Sequence, residues 1–343
     1  MWARLTPVAF LAGVLLAGPL GATGARAAAD STAATPAATP AATPAATSAS
    51  ALPAPKLSGY MQVRGIAQEH VGLTQYLNRA RFAVDGKLPE NFSYRLLTEL
   101  EASTGAKTAA TPSLREAIVR WSPMRAPIVL TMGQFKAPFS REYLIPLSQL
   151  EMGDLATVLD SLGPKYDVGV MLEHAHGAEF TFQLGVFNGD GANSTANRDS
   201  TVMWAARAVL RPIPQFALGL SGTRDGDDSL RWCADAQAQH RGATLRGEFA
   251  TRRVRGRPVG RNEFGWYVFE SYRVVPRVQL MARQEDYQRP IKGVSRRVRG
   301  LAYAVQYDIA PARVKLLTEF SRRIAGAKQS HADAFFAQLQ VVY

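Results

Sequence analysis

The chain has 343 residues, 47% of them hydrophobic and 9% aromatic, which is enough apolar material to exclude wholesale disorder. Lys and Arg number 40 against 28 Asp and Glu, a formal charge of +12, and the lone cysteine, Cys233, excludes an intramolecular disulfide framework. Beyond residue 30 no apolar run approaches the roughly 18 residues of a membrane-spanning helix, so a helical membrane bundle is excluded too.

The first elements are an address and a spacer. Met1 to Arg4 carry positive charge, Val8 to Leu20 are almost entirely apolar, and Ala25-Arg26-Ala27 fits a small-x-small cleavage site. This pattern predicts a secretory signal peptide over residues 1–27 rather than an anchor, because the apolar stretch is too short and no stop-transfer segment follows. Cleavage there removes Arg4 and Arg26 and lowers the formal charge from +12 to +10. Ala-Ala-Thr-Pro repeats then dominate an Ala/Ser/Thr/Pro tract over residues 28–55. It buries too little to offset its ordering entropy and is expected to be a disordered linker.

From Lys56 to Tyr343 the hydrophobic period changes to two. Phe92, Tyr94, Leu96, Thr98 and Leu100 alternate with Ser93, Arg95, Leu97, Glu99 and Glu101. The same dyad runs through Leu230 to Gln239, Thr244 to Arg252 and Gly300 to Ile309. About sixteen such segments follow one another, which is the signature of a transmembrane β-barrel. A soluble sandwich would need a second sheet to cover the apolar face. The connections alternate in length. Leu88 to Asn91, His174 to Gly177, Arg211 to Pro214 and Arg273 to Pro276 are short, whereas Ser103 to Pro112, Ser140 to Pro164, Asn188 to Asp199, Arg253 to Arg261, Gln288 to Ser295 and Ile324 to Ser330 are mostly longer. Short turns on one side and long loops on the other are the outer-membrane arrangement. The final segment places Phe335, Ala337, Leu339, Val341 and the terminal Tyr343 on one face, as in outer-membrane assembly signals. The expected fold is therefore all-β, a 16-stranded antiparallel transmembrane barrel over 56–343 with the long third loop folded into its lumen.

Several stretches carry a family resemblance. They are Leu57 to Arg64, Asn78 to Leu88, Gly133-Gln134-Phe135-Lys136-Ala137-Pro138-Phe139-Ser140-Arg141-Glu142, Gly185 to Gly191 and Gly247-Glu248-Phe249. In order and spacing they resemble the phosphate-selective porin O/P family of Gram-negative outer membranes. The resemblance implies a sixteen-stranded barrel, a homotrimer, and passive uptake of small anions, phosphate or similar. It also implies that the third loop narrows the channel.

Strand parity assigns side chains to the lumen. The basic set is Arg64, Arg79, Arg81, Arg95, Arg120, Lys136, Arg207, Arg246, Arg277, Arg283 and Lys315, with Arg211, Arg231, Arg252 and Arg323. The acidic set includes Asp85, Glu99, Glu101, Asp167, Glu173, Asp235, Glu248, Glu285, Asp308 and Glu319. A basic excess on a low-dielectric wall concentrates anions, and arginine suits phosphate through its two-pronged donor geometry. The competing reading is a balanced lumen in which Arg–carboxylate pairs only brace the wall. The third loop complicates matters: it holds Glu142, Glu151, Asp154 and Asp160 but only Arg141 near its start. These carboxylates oppose anions at the constriction, bind wall arginines, or face away from the channel. Lys136, just before the loop, is the expected anion contact. A second basic group, Arg253, Arg255, Arg257, Arg261, Arg289, Lys292, Arg296 and Arg297, predicts either an anion funnel or contact with lipopolysaccharide phosphates. Nucleic acid is not an expected partner. His174 and His176 share one side in a short turn without further ligands, so neither metal nor cofactor is expected, and no nucleophile-elbow motif points to an enzyme. The alternatives are a general non-selective porin and a structural or adhesive barrel.

Overall fold

The computed structural model describes residues 52–343 apart from 69–70, 102–110, 125, 195, 198–199, 227, 256–261, 292–293 and 326–329. The signal peptide, the linker through residue 51, and Arg257, Arg261 and Lys292 lie outside the described residues. Sixteen strands follow in chain order: β1 Lys56–Gln68, β2 Gly72–Lys87, β3 Phe92–Glu101, β4 Thr111–Trp121, β5 Ile128–Lys136, β6 Tyr166–His176, β7 Phe180–Phe187, β8 Met203–Ile213, β9 Phe216–Arg224, β10 Ser229–His240, β11 Ala243–Val254, β12 Glu263–Val275, β13 Val278–Ile291, β14 Val294–Ala310, β15 Val314–Ala325 and β16 Ser330–Val342. One short helix, α1, spans Thr157–Leu162 between β5 and β6.

Each strand pairs antiparallel with its sequence neighbours, and β1 pairs with β16 from Tyr60↔Val342 to Gln68↔Ala334, closing the barrel. Closure joins the first and last strands and satisfies most strand backbone within the wall, the condition for crossing hydrocarbon. The alternation then sorts side chains. Leu301, Tyr303, Val305, Tyr307 and Ile309 face outward and are exposed, while Ala302 and Ala304 face inward and are buried. The start of β1, the end of β16 and the short turns lie at one end, the turn end, and the longer loops at the other, the loop end. Aromatic residues ring both. Phe92 stacks on Trp121 and Phe82 tilts against Tyr343 near the turn end, while Trp204, Trp232 and Phe264 are exposed near the loop end. Such paired girdles sit at the two membrane interfaces of barrels of this class.

Some expectations need correction. His174 and His176 belong to β6, not to a turn, because β6 continues to pair with β5 through His174↔Ile128 and with β7 through His176↔Phe180. The segment read as a loop over Gln288 to Ser295 is mostly hairpin, paired from Gln288↔Arg297 to Ile291↔Val294.

The wall opens where β5 leaves β4. Their ladder stops at Ala117↔Gln134, while β5 continues along β6 to Lys136↔Tyr166. Gly133 sits at φ +121, and a Cβ there would meet the Ala117 carbonyl oxygen at 2.0 Å. Only glycine tolerates that geometry. The Gln134 amide then donates to the Leu114 and Arg115 carbonyls at 2.8 and 3.3 Å, replacing ladder bonds that β4 would otherwise lack. This departure feeds residues 137–165, the third loop, into the barrel.

Candidate functional site: the loop-lined channel

The third loop touches inward-facing side chains of β1, β10, β11, β13, β15 and β16, on the far side from its own strand, so it crosses the interior. Wall carboxylates clasp its backbone. Glu248 on β11 accepts from the Glu142 amide at 2.7 Å, the Arg141 amide at 3.0 Å and the Ser140 hydroxyl at 2.7 Å. The Tyr267 hydroxyl holds the same carboxylate at 2.8 Å. Glu285 on β13 accepts from the Thr157 amide and hydroxyl at 2.9 and 2.6 Å, so it satisfies a donor at the start of α1 that the helix itself leaves unpaired. Glu319 on β15 accepts from the Gly153 amide at 2.9 Å.

Wall arginines hold the loop's own carboxylates. Arg64 meets Asp154 at 2.8 Å, Arg246 meets Glu151 at 2.9 Å and Arg283 approaches Glu142 at 3.6 Å. Arg283 also donates to the Asp154 carbonyl at 2.7 Å, and Lys315 to the Leu150 carbonyl at 3.1 Å. Of the outcomes open to the acidic loop, three of its carboxylates thus take one: they bind wall arginines. The Arg283–Glu142 pair is buried on both sides and resists loss of either partner, because the remaining charge would stay desolvated.

An apolar layer completes the seat. Phe139, Met152, Ala156, Val158, Leu159 and Leu162 of the loop pack on Ala250, Tyr267, Phe269, Tyr287, Ala302, Ala304, Leu317 and Phe336 of the wall. Alanines, together with Cys233, leave room for the helix. Cys233 is fully buried in this cluster, which is why it behaves as a packing residue.

The loop therefore fills the side of the barrel toward β10–β16, and the opposite wall carries cations. Arg81 and Arg115 both donate to Glu99, at 2.9 and 2.7 Å, and Arg79 lies 3.9 Å from it. Arg79 also reaches Asp154 at 3.3 Å. Lys136 donates to the Tyr143 carbonyl at 2.5 Å and lies 4.8 Å from the Tyr143 ring and 5.6 Å from the Tyr166 ring. No carboxylate lies within ion-pair distance of Lys136 among the described residues.

A cavity of about 630 Å³ occupies this space on the loop-end side, lined by six Lys/Arg side chains, Lys136 among them, and four Asp/Glu. A second, of about 830 Å³, opens at the turn end beneath the loop, with Arg241, Arg273, Arg313 and Lys315 against Glu151 and Asp308, and six glutamines between them. Both carry a basic excess.

The sequence-assigned basic residues divide accordingly. Arg64, Arg246, Arg283 and Lys315 hold the loop. Arg79, Arg81 and Lys136 line the upper cavity. Arg207 pairs with Asp235 at 2.7 Å, and Arg95 pairs with Asp85 and Glu116, each at 2.9 Å, toward the turn end. Arg120 is exposed next to the β4–β5 turn. Arg277 is not a wall residue: it sits exposed in the β12–β13 turn, where its carbonyl accepts from the Asp308 amide, and strand parity does not extend into a turn. Arg115 escaped the parity assignment. A bulge between Leu97 and Thr98 pairs them with Glu116 and Leu114, leaving Arg115 as the extra residue, and its side chain reaches the luminal Glu99. Tyr143, in the loop, and Tyr166, at the start of β6, also line the upper cavity, and the parity assignment, made for charged side chains alone, does not include them. Among the late basic residues, Arg289 stands opposite Arg296 in the loop-end hairpin, Arg297 donates to Asp286 at 2.8 Å, and Arg255 lies 3.7 Å from Asp228.

The family model of phosphate-selective porin O and P matches residues 59–222, from β1 into β9. The resemblance read from the sequence is thus found over that stretch, and Gly247-Glu248-Phe249 lies beyond it. No curated protein sequence matches the chain. Among solved structures, the outer membrane channel DcaP of Acinetobacter baumannii is similar at TM-score 0.66 and 10% identity, covering 84% of this chain and 97% of that one. The anion-selective porin from Comamonas acidovorans is similar at TM-score 0.61 and 10% identity, over 84% and 99%. The trimer form of the outer membrane protein OmpT of Vibrio cholerae is similar at TM-score 0.61 and 11% identity, over 84% and 99%. At these identities the likeness is one of fold: a closed sixteen-stranded porin barrel.

Proposed function

We propose that the chain is a bacterial outer-membrane porin through which small anions diffuse passively, phosphate being one permeant species among them. The observation that carries this reading is the separation of charge across the lumen. The loop's Glu142, Glu151 and Asp154 are drawn into contact with Arg283, Arg246 and Arg64, while Lys136 faces the upper cavity with a carbonyl as its hydrogen-bond partner. A basic excess in a cavity walled by low dielectric raises the local anion concentration. The matched family and the fold support the same reading.

Further features belong to it. Residues 1–27 serve as the signal peptide and 28–55 as the linker, the turn end faces the periplasm, and the barrel works as a homotrimer. Arg297 and Arg299 lie near Asp286 at the loop end, on the face that Leu301 and Tyr303 continue toward the membrane, which suits lipopolysaccharide phosphates.

A second reading, a non-selective porin, is favoured by the pairing of Arg81, Arg95 and Arg207 with carboxylates, which cancels much of the wall's charge. Release from proteoliposomes separates the two. Chloride and phosphate should escape faster than organic cations of matched size, whereas equal escape favours the non-selective pore.

A further inference from the structure

We propose that the upper cavity binds an organic anion with a flat apolar body, an aromatic monocarboxylate, in preference to a compact inorganic anion. The inference rests on the anion-channel reading and names the solute class. The cavity's volume, about 630 Å³, is that of a small-molecule site, not of a bare ion passage.

Its two walls differ in chemistry. The strand wall presents Arg79, Arg81, Arg115 and Lys136. The loop wall presents Tyr143, Leu147, Leu155 and Pro164. Leu150, Leu159 and Leu162 of the loop are buried, whereas Leu144, Leu147 and Leu155 are only half-buried, and of these three Leu147 and Leu155 line the cavity. They stand as an apolar ledge opposite a row of cations.

The cation wall already holds a carboxylate. Glu99 takes bonds from Arg81 and Arg115 at 2.9 and 2.7 Å, with Arg79 at 3.9 Å, so the guanidiniums are arranged for a planar two-oxygen acceptor. Lys136, between the Tyr143 and Tyr166 rings at 4.8 and 5.6 Å, offers a second charge beside two aromatic faces. A carboxylate at Lys136 would direct an attached ring along Tyr143 toward Leu147 and Leu155. The ring gains there by leaving water, whereas a hydrated inorganic anion loses solvation against the same ledge.

The test uses full-length channels in a planar bilayer with KCl, adding benzoate, acetate or inorganic phosphate at the loop end. Benzoate is expected to interrupt the current at concentrations about tenfold below those needed for acetate or phosphate, a difference of about 1.4 kcal/mol. Leu147→Asn combined with Leu155→Asn should bring benzoate close to acetate. Equal block by benzoate and acetate, stronger block by phosphate, or undiminished benzoate preference in the double variant would overturn the proposal. Titration calorimetry of the wild-type protein in detergent judges the site apart from the channel reading. A cation-selective pore would refute the channel reading alone, and absence of benzoate preference in the titration would refute the site alone.

Discussion

Lys136 occupies the last position of β5, where the chain turns from the wall into the interior, and in the proposed channel a charge there acts on the permeating ions. An ion about 4 Å away interacts with a unit charge by about 1 kcal/mol in water. Charge reversal by Lys136→Glu changes this by about twice as much, so the anion-to-cation permeability ratio should fall about tenfold or more. An unchanged ratio would remove Lys136 from the selectivity. Glu142 is a different kind of residue. It is fully buried, and burial pushes its carboxyl from 4.5 up to about 7, against the pull of Arg283 and Arg246 and with a further push from Glu248. The seated loop therefore binds this proton more tightly than the freed loop does. Its contribution to seating is fully present below pH 4.5 and is lost as pH rises through about 7. Amide protection of the loop, taken relative to the intrinsic exchange rate at each pH, should fall across that window, and Glu142→Gln should flatten the dependence; wild-type protection that does not change there would contradict this. Much at this scale was legible, because Arg64, Arg81 and Lys136 follow from parity alone. Arg115 was not, since one bulge shifts the register and single-strand alternation carries no mark of it.

At the scale of the element, the third loop is a plate held by reciprocal charge: wall carboxylates on its amides, wall arginines on its carboxylates, and leucines between. Glu248 alone accepts from Ser140, Arg141, Glu142 and Tyr267. Glu248→Ala leaves those buried donors without a partner, at about 1–3 kcal/mol each. The expected result is a loosened loop, seen as larger and noisier single-channel conductance in a barrel that still assembles. Conductance equal to wild type would show that the apolar layer suffices. The loop's extent was readable, and Thr157–Leu162 within it forms a short helix. Its partners were not readable, because Glu142 meets residues more than a hundred positions away and pairing at that range leaves no local pattern.

At the scale of the molecule, the barrel is the part most clearly written in the sequence. A dyad repeat over sixteen segments fixes which face meets lipid, and an even count returns the C-terminus beside the N-terminal strand, where Tyr60 pairs with Val342. The lumen departs from a plainly polar interior, since Ala250, Ala302 and Ala304 were indistinguishable in sequence from ordinary small wall residues yet make room for α1. The proposed homotrimer is tested by native mass measurement in mild detergent, where three copies are expected; a monomer would contradict it. The most direct test of the account is the zero-current potential of the wild-type channel across a KCl gradient. The account predicts a potential whose sign reports chloride as the more permeant ion, and a potential reporting potassium preference, or none at all, would contradict it.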